Sequence, residues 1–304
     1  VGLVKRAGRT LRNIRDLLNH PLHKGRPVQT LARWARQTAS VLSSPVRQTT
    51  VPYVGGSVLH WPLEAGSVMI CARFGLGEYA DMAFCLHFLR PEDLFVDVGA
   101  NAGVYTILAA RAVGCHVVAA EPVPTTFDLL MQNVYANHVS DRVDARRIGI
   151  GRIPGKLHFT SSLWSYNHVV EVGGENTVEV DVLPLDDVLS GRSPTMLKID
   201  VEGFEAEVIG GASMALSDPS LKAVLIEMYE GHVAKYGGHI AEIETRLRSL
   251  GFNGPYWYDP ATRSLVPPGD QAATKYNQIF VSDMDDVKWR IERSKSYEIH
   301  GATV

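Results

Sequence analysis

"FVDVGANAGVYTILAA", Phe95–Ala110, decides the fold. An apolar run ends in an acid, passes through two glycines and continues with helical spacing. A buried strand, a tight turn and a helix in that order open a βαβ unit, because a parallel strand pair needs a helical crossover. The same rhythm repeats downstream. "HVVAAEP" and "RVDARRIGI" read as strands around the helix "TTFDLLMQNVYANH". "TMLKIDVEG" and "KAVLIEMY" read as strands around "EAEVIGGASMAL". "AEIETRLRSLG" reads as a helix, and "YWYDPATRSL" with "YNQIFVSD" as a hairpin-like pair. The expectation is an α/β fold, a doubly wound and mostly parallel sheet with an antiparallel final strand. Upstream, "EYADMAFCLHFL" reads as a helix, and "GGSVLHW" and "GSVMICARF" as short β pieces.

The chain has 304 residues, a formal net charge of -3 and three cysteines without a CxxC pair. That argues against a disulfide framework or a zinc site and fits a reducing cytoplasm. No apolar run has the roughly 18 residues of a membrane span. Charge is uneven: residues 1–50 hold 10 of the 30 basic residues and one of the 33 acids. "LVKRAGRTLRNIRDLL" and "TLARWARQTASVL" place Arg and Lys opposite an apolar stripe. The domain expectation is therefore a basic helical extension over 1–50 and a catalytic body over 51–304, itself a small subregion (51–90) and a core (91–304). The extension can serve as a lid or homodimer element, touch an anionic membrane peripherally, or bind nucleic acid. The last lacks an aromatic RNA-stacking signature.

The first β-to-α turn of such a sheet gathers ligands. Its pattern, D-x-G-x-N-x-G over Asp97, Gly99, Asn101 and Gly103, is neither GxGxxG nor a Walker loop. Asp97 disfavours a phosphate there and suits an ammonium group. Glu121, 22 residues after Gly99, ends the next strand, where a carboxylate accepts from ribose hydroxyls. Asp144, at the third strand, is placed to reach an adenine amino group. S-adenosylmethionine (SAM) offers all three partners.

Together, "FVDVGANAG", "AAEPVPTTFDLLMQN", "LPLDDVL", "LKIDVEGFEAEVIGGA" and "VLIEM" resemble the FkbM-family methyltransferases over about residues 74–282. The resemblance implies a Rossmann-like class I SAM-methyltransferase fold and O-methylation of a hydroxyl on a sugar, glycolipid or polyketide-type product. It assigns cofactor contacts to Asp97, Gly99, Asn101, Gly103 and Glu121, with Pro122 beside it, and matches Glu78 to an acid before the first strand.

Methyl transfer to oxygen needs an aligned acceptor and a route for its proton. Asp200 and Glu202 follow the fourth strand, Glu227 ends the fifth, and His232 follows it. Asp200 is the preferred general base, with Glu202, Glu227 and His232 as further catalytic candidates. Alternatively Asp200 and Glu227 bind a divalent cation such as Mg²⁺ that polarises the hydroxyl. Glu202 and Glu227 can instead cap helices or pair with Lys198. Trp164, Tyr166, Trp257 and Tyr258 can stack on a sugar face or pack. Two other readings stand beside this one: a ribose 2′-O-methyltransferase using Lys198, Asp200 and Glu227, and a catalytically silent interaction protein.

Overall fold

The computed structural model describes residues 14–160, 168–170, 176–268 and 276–304. After helical residues 14–19 and a turn at Pro21–His23, helix α1 (Pro27–Ser43) leads into the hairpin β1 (Gln48–Pro52) and β2 (Val58–Pro62). Helices α2 (Gly66–Phe74) and α3 (Tyr79–Phe88) follow. The repeating core begins with β3 (Leu94–Val98), α4 (Val104–Ile107, continuing as a π-helical stretch to Val113), β4 (His116–Ala120), α5 (Pro124–Ala136) and β5 (Val143–Arg146). A separate small sheet comes next, from β6 (Gly149–Ile150), β7 (Gly155–Thr160), β8 (Val169–Val170) and β9 (Thr177–Leu183). Then come α6 (Leu185–Leu189), β10 (Met196–Ile199), α7 (Glu205–Gly210), α8 (Ser213–Ser217), β11 (Ala223–Glu227), α9 (Glu230–Val233) and α10 (Ile240–Ser249). The tail holds β12 (Asn253–Asp259), β13 (Ser264–Val266), β14 (Asn277–Val281), α11 (Met284–Glu292) and a terminal β15 (Glu298–Ile299) with β16 (Ala302–Thr303).

The principal sheet runs β13-β12-β14-β11-β10-β3-β4-β5. Strands β11, β10, β3, β4 and β5 are mutually parallel, while β14 is antiparallel to β11 and β12. This is the doubly wound, mostly parallel arrangement that the alternating strand and helix pattern leads one to expect, with β14 as its antiparallel strand. The chain winds outward from β3 to β5, then returns to β10 on the other side, so the crevice at the carboxyl ends of β3 and β10 is the switch point where such sheets bind ligands.

Period-two alternation sends side chains into two cores. Phe95, Val117, Met196, Leu225 and Ile279 face one cluster; Val96, Val98, Val118, Leu197 and Val224 face the other. Helix α3 is buried from Met82 to Phe88, and Phe84 stacks on Phe88 at 5.4 Å. Each such ring stabilises the fold by about 2–3 kcal/mol through burial. "GSVMICARF", expected as β, is helix α2. Its buried Val68, Cys71 and Ala72 stand at helical i, i+3, i+4 spacing, which outweighs the β-branched content.

The described part of the basic segment is not detached from the body. Leu22 and Val41 belong to the first core. His20 and His23 pack on Phe74, and His300 stacks on His23. His23 donates from Nδ1 to the Leu17 carbonyl (2.9 Å) and accepts at Nε2 from Arg33 (2.8 Å), so its ring is neutral. Burial pushes His20 down to about 4 and His300 to about 3. Residues 1–13, with most of the first basic stripe, lie outside the described residues. No described helix is long and apolar enough to cross a membrane. All three cysteines are buried and free.

Candidate active site

A cavity of about 310 Å³ opens at the switch point, within the size range of small-molecule sites. Its floor is the turn between β3 and α4. Gly99 has φ +78°, and a Cβ there would stand 1.8 Å from the Asp200 carbonyl oxygen. Only glycine lets the first strand's turn touch the fourth strand's end. Asn101 holds φ +50°, a conformation asparagine tolerates. Its side-chain oxygen accepts from the Ala102 amide (2.7 Å) and the Ser67 hydroxyl (3.0 Å), tying the turn to α2. Gly103 plays a different part. It is absent from the cavity lining, and a Cβ there would meet Leu130 at 2.4 Å, so this glycine lets α4 pack on α5.

Glu121 lines the cavity at the end of β4. Its carboxylate accepts from the Asn101 amide (2.8 Å), the Val123 amide (3.0 Å) and the Thr126 hydroxyl (2.6 Å). Burial raises its pKa while those bonds oppose the rise. Pro122, Val123 and Phe159 form an apolar wall beside it. At the other end stand Glu78, Tyr105, Lys198 and Asp200. Tyr105 donates to Glu78 at 2.5 Å. Burial and then the Asp200 charge push the Glu78 pKa up.

Two sequence expectations meet a different geometry. Asp97 is 1% exposed and does not line the cavity. Strand register places it directly beside Lys198; the two are 3.9 Å apart, and Asp97 accepts from Thr106 at 2.7 Å. It therefore supports the floor from below instead of meeting an ammonium. Asp144 pairs with Arg146 (2.6 Å) and Arg192 (2.9 Å), away from the cavity. Register explains this too: Arg146, not Asp144, stands opposite Ala120 at the strand's carboxyl end.

Lys198, read from sequence as an ion-pair partner and as a member of the RNA-methylation alternative, is central to the cavity floor. It is 3% exposed, 3.1 Å from Asp200 and 4.8 Å over the Tyr105 ring. Burial disfavours its charge, but Asp200, Asp97 and Glu78 outweigh that and hold the ammonium above its usual range. The alternating pattern LKID places a lysine on the inward face of a buried strand, and that anomaly was the available signal.

The remaining candidates converge. His232 Nδ1 lies 3.3 Å from Glu202 and 3.6 Å from Glu227. Glu202 and Glu227 line the cavity mouth. Burial, then the Asp200 charge, raises Glu202 to about 7 and Glu227 to about 9; burial lowers His232. Asp200 is turned to Lys198 at 3.1 Å, while the side-chain atoms of Glu202, Glu227 and His232 converge without it.

A second cleft of about 300 Å³ shares Glu78 and Glu227 with the first and adds Tyr79, Asp81, Trp257, Tyr276 and Asn277. Tyr258 points elsewhere: it is 2% exposed and hydrogen-bonded to His87 at 2.6 Å. Trp164 and Tyr166 lie outside the described residues.

Residues 97–253 match the methyltransferase FkbM domain. The hexuronic acid methyltransferase AglP of Haloferax volcanii is 27% identical over 207 residues, covering 67% of this chain and 84% of that protein. The 31-O-demethyl-FK506 methyltransferase FkbM of Streptomyces tacrolimicus is 28% identical over 244 residues, covering 68% and 89%. Methyltransferase sdnD of Sordaria araneosa is 26% identical over 211 residues, covering 58% and 79%.

Proposed function

Because this chain belongs to the FkbM methyltransferase family, we propose that it methylates a hydroxyl of a sugar, glycoside or other polyhydroxylated natural product. The observation that carries the reading is the pair of contiguous cavities sharing Glu78 and Glu227. The larger fits SAM in its donor set. It offers a carboxylate at the end of β4 for ribose hydroxyls, an apolar wall for a base, and acids at the far end for an ammonium. When bound, SAM supplies an electrophilic methyl group on a sulfonium. The chain's own residues do the rest. Gly99 brings the floor against β10, and Glu121 fixes the turn. Asp97 and Lys198 hold β3 and β10 in register beneath it.

The second cleft is the proposed acceptor site. Trp257 and Tyr276 present apolar faces that suit the C–H surface of a sugar ring, and Asp81 and Asn277 supply polar contacts. Glu78 and Glu227 face both cavities; Glu78 is engaged by the Tyr105 hydroxyl, so Glu227 is the residue assigned to the reacting hydroxyl. The relatives support such an acceptor, one acting on a hexuronic acid and one on an FK506 precursor. The RNA reading loses support, since its lysine is buried and committed to Asp200.

The test is conversion of SAM to its demethylated product with a panel of sugars and glycosides. Product that depends on a hydroxylated acceptor, with the acceptor KM raised about tenfold or more by Trp257→Ala at unchanged SAM affinity, is the expected result. Folded protein that binds no SAM, or a Trp257→Ala enzyme with unaltered acceptor KM, overturns the assignment.

A further inference from the structure

We propose that Glu202, Glu227 and His232 form a site for one divalent first-row metal cation of the Mn²⁺ class, at the boundary between the two cavities. One ligand atom from each residue lies within 4.8 Å of the others. His232 Nδ1 is 3.3 Å from Glu202 Oε2 and 3.6 Å from Glu227 Oε2. Two ligands bound at about 2.1 Å stand about 3.0 Å apart at a right angle and about 3.4 Å apart at a tetrahedral one. The two separations from His232 need only small adjustments to surround one ion, and the two carboxylates must lie within about 4.2 Å of each other when it is bound.

The second observation concerns unsatisfied atoms. Glu227 Oε2 and His232 Nδ1 are both shielded from solvent, and neither has a hydrogen-bond partner. Buried polar atoms left without partners are rare and point to a missing ion or water. With the imidazole neutral and protonated at Nε2, Nδ1 presents a lone pair to two carboxylates. Such a convergence is repulsive unless a proton or a cation lies between them. Lys198 cannot serve, because its ammonium sits on Asp200 and Asp97. The other charged groups acting on the cluster are Asp200, Glu205 and Lys235, with His168 acting on His232, and Lys198 also acts on both glutamates from its place on Asp200.

The scaffold is rigid. Glu227 ends β11, His232 sits in α9 just beyond it, and Glu202 lies in the turn after β10. A Cβ on the adjoining Gly203 would stand 2.4 Å from the His232 carbonyl oxygen, so turn and helix are held in contact. Two carboxylates with one imidazole suit Mn²⁺ and neighbouring divalent ions better than soft thiophilic ones. Three protein ligands leave positions open for water or an oxygen ligand. Because Glu202 and Glu227 line one cavity and Glu227 also lines the other, an ion there would meet an acceptor hydroxyl and polarise it.

Metal binding is measurable without methyl transfer, so failure here leaves the acceptor proposal standing, and the reverse also holds. The experiment is titration of MnCl₂ into the full chain in the absence of SAM. It is followed by calorimetry and by loss of the free Mn²⁺ electron paramagnetic resonance signal. Glu202→Gln, Glu227→Gln and His232→Ala are compared with the control Glu230→Gln, whose side chain pairs with exposed His239. One equivalent should bind, with affinity reduced about 10–100-fold in each cluster variant and unchanged in the control. A variant that fails to fold is replaced by His232→Asn, and the Co²⁺ absorption spectrum of the unaltered protein reports nitrogen and oxygen ligation independently. No saturable binding of Mn²⁺ or Zn²⁺ up to about 1 mM, or equal affinity in all cluster variants, overturns the site and leaves a proton-sharing cluster.

Discussion

Replacing Lys198 with methionine tests the electrostatic floor of the cavity. The ammonium lies 3.1 Å from Asp200 and 3.9 Å from Asp97. At an effective dielectric of about 20, those separations correspond to attractions of about 5 and 4 kcal/mol. Taking the ammonium out of water costs several kcal/mol, which offsets much of that gain. The decisive quantity is what remains after substitution. Asp97 would keep its Thr106 bond but stay 1% exposed with no cation beside it. Stranding one member of a buried pair costs about 3–5 kcal/mol. At about 2–4 °C per kcal/mol for a large domain, the melting midpoint should fall by roughly 10 °C. Thermal and urea unfolding followed by circular dichroism measure this directly. Asp97→Asn combined with Lys198→Met should be less destabilised than the two single changes added together, with a coupling of about 1 kcal/mol or more. A Lys198→Met midpoint within about 2 °C of the parent, or strict additivity in the double variant, would refute the reasoning.

Three further outcomes follow from the geometry. Gly99→Ala places a methyl against the Asp200 carbonyl in a left-handed backbone and should cost about 3 kcal/mol or more; urea unfolding measures the loss. Glu121→Gln turns one acceptor oxygen into a donor facing an amide; calorimetry should show SAM affinity falling about tenfold to a hundredfold. His23, which is buried, and the half-buried His20 and His300 are neutral in the fold and protonated in the unfolded chain at mildly acid pH. The unfolded state therefore binds more protons, and stability falls as pH drops from about 6.5 toward about 4. With solvent screening discounted, His20 and His300 contribute about 1–2 kcal/mol each. Unfolding at pH 7 and pH 5 should show a smaller acid loss in His300→Leu than in the parent; equal losses would contradict this.

The order of strands and the position of the ligand turn were legible because both rest on local pattern. Apolar runs, their spacing and the glycines of Phe95–Ala110 lie next to one another in sequence. The fate of each acid was not legible in this way. Asp97 and Asp144 both sit on strands flanking the cavity, yet pairing across β3 and β10 turns the first onto Lys198, and the register of β5 ties the second to arginines. Such pairings join residues about a hundred positions apart or depend on one-residue register, and neither leaves a trace in periodicity. The Glu202–Glu227–His232 group was visible as three separate candidates. Its closure depends on a left-handed Glu202 and on Gly203 lying against α9. In the sheet of β6 to β9, Gly149–Ile150 fell inside the stretch read as one strand with β5, and β7 and β9 escaped because they are largely half-exposed and lack a continuous apolar run.

The wall of the second cleft has an evolutionary consequence. Tyr79 and Asp81 precede the family-defining stretch 97–253, and Trp257, Tyr276 and Asn277 follow it. The donor turn, Lys198 and Glu227 lie inside it. The proposed acceptor wall thus lies mostly outside the family stretch, while the donor cavity draws on both sides of its boundary, with Ser67, Glu78 and Met82 ahead of it. On that proposal, substitutions at Tyr79, Asp81, Trp257, Tyr276 and Asn277 can exchange one hydroxylated partner for another without touching the donor turn. One methyl-transfer apparatus can in this way serve many products, with Glu78 and Glu227 common to both cavities.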